Sequence, residues 1–291
     1  MKKLLLGLIL SSLLLTGCNQ NNENASSSQD NNSSVEQTLE VTDKEMTLTL
    51  NFWNSDDRLN YSSLEKTGIY TGEVDENGLP SGHGRFDTEN SEGLPWYYDG
   101  EFSNGSFNGI GKCVWEKQEG VRENDYIEYG NYKDGLFVPT KSQLLMHLGQ
   151  PDMNFGEFSV SDKSIAFIDS HENLFPTYTE SDLQELESYV DRTIEYKHLM
   201  KAPDKYLENI IEIKDAIIYQ IFENDLCGHT VTSILAGNLN GDYYTIYFDR
   251  SLELYQGDSI SFLGLPIASS WFENVSGGVT NNFVVYGCSI F

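Results

Sequence analysis

The chain has 291 residues, 45 of them acidic and 18 basic, for a net charge of −27 and a pI of about 4.3. A surface this acidic repels phosphate backbones and anionic headgroups, which argues against nucleic acid as a partner. Hydrophobic residues at 39% exclude a chain that is disordered throughout, and 25 glycines with 17 tyrosines point to a β-rich protein with many tight turns.

The N-terminus is read first. Lys2 and Lys3 precede a mostly apolar run from Leu4 to Leu15 that is short for a membrane span and has the layout of a secretion signal. It ends in Leu15-Thr16-Gly17-Cys18. That tetrapeptide resembles the lipobox of bacterial lipoproteins. The resemblance implies cleavage after residue 17 and a diacylglyceryl group on the Cys18 thiol. The mature protein would then be held at the cell membrane through Cys18, facing outside the cytoplasm. Two acyl chains give stable anchoring where one would be marginal. Residues 18–45 form the anchor cysteine and a tether, its first part an Asn-, Gln- and Ser-rich stretch with nothing to build a core from.

Residues 46–140 carry a glycine-rich repeat. One unit runs Tyr70-x-Gly72-Glu73-Val74, Gly78, Gly82-His83-Gly84-Arg85-Phe86. A second runs Tyr98-x-Gly100-Glu101-Phe102, Gly105, Gly109-Ile110-Gly111-Lys112-Cys113, and a third starts at Gly130-Asn131-Tyr132 and breaks at Val138-Pro139. The pattern resembles the MORN repeat family, which implies β-hairpins stacked side by side. Asn77-Gly78, Asn104-Gly105 and Asp134-Gly135 are turn dipeptides that tolerate positive φ. The paired glycines remove side chains where one backbone approaches the next. Met46–Trp53, alternating through Leu48, Leu50 and Phe52, supplies a first capping strand.

Residues 141–203 read as a connector. Ser181 is an N-cap candidate, and Leu183, Leu186, Val190 and Ile194 recur at helical spacing, which predicts one amphipathic helix over 182–199 ended by Pro203. Residues 204–291 return to β periodicity, with strands expected at Ile210–Phe222, Thr230–Leu239, Tyr243–Asp249, Ser259–Leu265 and Phe283–Phe291. Five strands suit a small barrel. Gln256-Gly257-Asp258 before a Ser-Ile-Ser-Phe-Leu strand, with Gly264-Leu265-Pro266 after it, resembles the OB-fold. In the third strand Tyr244, Ile246 and Phe248 fall on the interior face, leaving Tyr243 and Tyr247 opposite. OB-folds take ligands across strands two and three, so Tyr243 and Tyr247 are the candidate stacking residues for a glycan or a protein ligand.

Little else in the sequence carries chemistry. Beyond Cys18 there are Cys113, Cys227 and Cys288; Cys227 and Cys288 share the barrel segment and either pair or stay as free thiols. His171 and His198 lack partners at ligand spacing, and no metal or cofactor is expected. No nucleophile elbow, phosphate loop or dinucleotide fingerprint occurs. The expectation is therefore a mainly β protein: a MORN-like hairpin stack, a helical connector with its own separating role between two cores, and a five-stranded OB-like barrel. Its expected task is non-catalytic binding or scaffolding, with a hydrolase acting on cell-wall material as the alternative.

Overall fold

The computed structural model describes residues 39–291 except 152, 154, 155 and 274–276. The signal segment, Cys18 and the tether as far as residue 38 lie outside the described residues. Among the described residues no helix is long and apolar enough to cross a membrane.

The first half is one antiparallel meander. Its strands are β1 (Leu39–Trp53), β2 (Tyr61–Val74), β3 (Pro80–Glu89), β4 (Pro95–Ser103), β5 (Ser106–Trp115), β6 (Tyr126–Lys133) and β7 (Leu136–Phe137), each paired to the next in chain order. The repeat acquires a physical meaning in the register. Gly72, Gly84, Gly100, Gly111 and Gly130 sit directly opposite one another, a glycine row crossing β2 to β6. Tyrosine rings lie over that row: a Cβ on Gly84 would meet the Tyr70 ring, and one on Gly111 the Tyr98 ring. Each tyrosine is pinned by its hydroxyl, which donates to the Glu73 carbonyl from Tyr70 and to the Glu101 carbonyl from Tyr98. The sheet curls until its ends meet, where Asn51 Nδ2 donates to the Asp134 carbonyl (2.6 Å) and Trp53 Nε1 to the Phe137 carbonyl (2.8 Å).

The connector holds four short helices: α1 (Lys141–Leu148), α2 (Asp162–Ser170), α3 (Glu180–Glu187) and α4 (Tyr196–Lys201). A continuous helix over 182–199 is thus corrected to two. The chain leaves α3 at Ser188, then Val190 bridges to Ile210 and Asp191 N donates to the Ile210 carbonyl (2.8 Å). Pairing with the entry to the barrel takes the backbone bonds that a helix would have used.

The last segment closes into a barrel of β8 (Ile211–Leu226), β9 (His229–Gly237), β10 (Tyr243–Phe248), β11 (Ser259–Glu273) and β12 (Val279–Ile290), in the order β10-β12-β11-β8-β9. The β10–β12 pair is parallel and the other pairs are antiparallel. Tyr244, Ile246 and Phe248 fill its interior, as alternation predicts, together with Ile213, Phe262 and Phe283. A second hydrophobic cluster does not stop at the connector. It joins Tyr98 and Phe107 of the sheet to Leu144, Phe167 and Phe175 of the connector, and onward to Tyr247 and Tyr286 on the outer barrel face. The expected separation of two cores by the connector is therefore corrected: one cluster runs from the sheet through the connector to the outer barrel face, where Phe158 and Phe175 pack on Tyr247 and Tyr286, while the barrel interior is a cluster of its own. Cys113, Cys227 and Cys288 are all buried free thiols.

Candidate binding surfaces

The two tyrosines singled out on β10 separate. Tyr247 is fully buried, its ring 5.7 Å from that of Phe158, so it cannot stack on a ligand. This corrects the expectation: alternation placed Tyr247 outside the barrel, and the connector then covered it. Tyr243 stays partly exposed at the start of β10. Its ring lies 5.7 Å from Tyr219 on β8 and 5.9 Å from Phe272 on β11, forming an aromatic row at one end of the barrel. Gly237 on the intervening β9 makes the row continuous, since a Cβ there would stand 2.9 Å from Tyr243 and 3.0 Å from Tyr219. Tyr219 sits within a register shift between Ile218 and Gln220. Strict alternation gives no way to place such a residue, which is why sequence reasoning missed it.

A second site has no counterpart in the sequence reading. A cavity of about 260 Å³ opens where the ends of β1, β5 and β6 meet the turn between β8 and β9. Trp53, Trp115, Tyr126 and Phe137 contribute aromatic lining, and Glu128, Arg58, Cys113 and Cys227 the polar groups. Glu128 is the single carboxylate among the described residues that line it. Burial pushes the Glu128 carboxyl up from 4.5 to about 7, against the opposing influence of the Tyr126 hydroxyl and of Arg58.

A hydrogen-bond network stands behind Glu128. Gln150 holds the backbone of Ile127, its Oε1 accepting from Ile127 N (2.9 Å) and its Nε2 donating to the carbonyl (2.6 Å), which orients its amide. The same Nε2 lies 2.9 Å from His147 Nδ1, which also lies 3.3 Å from the Ile127 carbonyl. His147 Nε2 lies 3.2 Å from the Tyr126 oxygen, and the Tyr126 hydroxyl donates to Glu128 Oε1 (3.3 Å). His147 is itself buried, and burial depresses its pKa from 6.5 to about 4, consistent with a neutral ring in this chain. The arrangement orients one carboxylate toward an aromatic cavity. Burial holds the nearby thiols of Cys113 and Cys227 in their protonated form, so neither is an activated nucleophile. Among the described residues no group of three His, Cys, Asp or Glu side chains is placed to hold a metal ion. Comparison with protein-family profiles, curated proteins and solved structures gives no match for this chain.

Proposed function

We propose that this chain is a lipid-anchored, extracytoplasmic binding module without catalytic activity, whose contact surface is the aromatic end of the barrel. The observation that carries the reading is the row Tyr219, Tyr243 and Phe272: Tyr219 is 41% exposed, and neither it nor Tyr243 belongs to a core cluster. Aromatic rings left in water at neighbouring positions suit stacking on a sugar ring or on the apolar part of a protein surface. The high negative charge disfavours anionic polymers and leaves neutral ligands. The Leu15-Thr16-Gly17-Cys18 resemblance supports the anchor. The glycine row under pinned tyrosines supports the MORN-like reading, and a closed five-stranded barrel supports the OB-like one.

Affinity capture with the full-length protein against neutral wall fragments and surface proteins tests this. The Tyr219→Ala/Tyr243→Ala variant should lose at least about tenfold in retention, since each stacked ring contributes roughly 1–3 kcal/mol. Undiminished retention by a folded double variant would move the contact surface elsewhere.

A further inference from the structure

We propose that the cavity beside Glu128 is a binding site for a small zwitterion, its ammonium group held by Glu128 among aromatic rings and its anionic group turned outward to Arg58. The inference is independent of the aromatic row on the barrel. It starts from the two charges of the lining. Glu128 is partly buried and faces the cavity, with the Tyr126 hydroxyl on one carboxylate oxygen. Arg58 is exposed, makes no ion pair among the described residues, and also lines the open groove that continues past Asp56 toward Glu223, Asp225 and Ser233. Glu128 and Arg58 thus stand at the inner and outer parts of one space without pairing with each other. An unpaired carboxylate in an enclosed site is costly, and a cation that enters relieves that cost.

The remaining lining selects the kind of cation. Trp53, Trp115 and Tyr126 present π-systems, whose faces attract ammonium groups, quaternary ones above all. A metal ion is less suited, since among the described residues no group of three His, Cys, Asp or Glu side chains is placed to hold one. A simple anion is opposed by Glu128, whereas a simple cation meets Arg58 on entry. A molecule carrying both charges satisfies each end. A space of about 260 Å³ corresponds to roughly eight or nine water volumes, and so to a ligand of about that many heavy atoms.

Calorimetric titration of the full-length protein at pH 8 provides the test, with three probes. Glycine betaine has the ammonium and the carboxylate; 3,3-dimethylbutanoate has the same shape with carbon in place of the charged nitrogen; tetramethylammonium has the cation alone. Betaine should bind at least tenfold more tightly than its carbon isostere. Glu128→Gln should erase that preference, and Arg58→Gln should weaken betaine without weakening tetramethylammonium. Groups around Glu128 that share the titration are Tyr126 and Tyr132 of its own strand, Cys113 of β5, Cys227 beside the β8–β9 turn, His147 of α1 and Arg58. Of these only Glu128 changes charge between pH 8 and 5.5, so betaine affinity should fall about thirtyfold over that interval in the wild type and hold steady in Glu128→Gln. Equal binding of betaine and its isostere, no binding of betaine, or a preference that survives in a Glu128→Gln protein with wild-type circular dichroism would each overturn the proposal.

Discussion

Replacing Glu128 by Gln should tilt the pH dependence of stability, because Glu128 and His147 oppose each other in the wild type. The Glu128 carboxyl is raised from 4.5 to about 7, so the folded protein keeps a proton that the unfolded chain releases. Its contribution therefore falls as pH rises through that interval and is constant outside it. At about 1.4 kcal/mol per pH unit the loss amounts to about 3 kcal/mol, and closer to about 2 once the solvent reaching the cavity is allowed for. His147 has the reverse sign. Its pKa is depressed from 6.5 to about 4, so the folded protein refuses a proton that the unfolded chain takes up. That contribution grows by about 3 kcal/mol as pH climbs from about 4 to 6.5. Between about 4.5 and 6.5 the two slopes largely cancel. Urea unfolding at half-unit steps from pH 4.5 to 7.5 reads the difference between variant and wild type, in which every other carboxylate drops out. Glu128→Gln should gain about 2–3 kcal/mol on wild type across that range, and His147→Gln should lose a similar amount relative to wild type. A difference for Glu128→Gln that does not vary with pH would refute the burial argument for this carboxyl.

Gly111→Ala should destabilise by about 3 kcal/mol, the upper end for overpacking, because its Cβ would enter the Tyr98 ring. That ring cannot yield: it is stacked on Phe107 at 3.8 Å and its hydroxyl is bonded to Glu101. A urea-measured loss below about 1 kcal/mol would show the ring to be free to move. The cluster shared by the sheet, the connector and the outer barrel face predicts one calorimetric transition for residues 39–291, and two resolved transitions would contradict it. The Tyr247 hydroxyl is buried without a hydrogen-bond partner among the described residues, so Tyr247→Phe should be neutral or stabilising, whereas Tyr247→Ala should cost about 3–5 kcal/mol. Cys18→Ala should abolish incorporation of labelled fatty acid and release the protein from the membrane fraction; persistent labelling would remove the anchor at Cys18.

What is legible in the sequence is what short-range physics controls. Turn chemistry is local, so Asn104-Gly105 and Asp134-Gly135 mark hairpins, and all four residues have positive φ in the structure. Alternation is local too, which is how Tyr244, Ile246 and Phe248 were assigned to the barrel interior. The same alternation says which face a side chain occupies and nothing about what covers that face. Tyr247 thus lies outside the barrel as alternation requires, yet it is inaccessible, since Phe158 and the rest of the connector bury it. The 182–199 periodicity was likewise satisfied in pieces, because Ile210 competed for the backbone of residues 190 and 191. The cavity depended on tertiary structure entirely. Arg58, Glu128, His147 and Cys227 come from four separate segments, and nothing in the neighbourhood of residue 128 signals a carboxyl that titrates near 7. Its environment arises only when the curled sheet brings β6 against α1 and the β8–β9 turn. Desolvation is a property of the assembled surroundings and not of the residue.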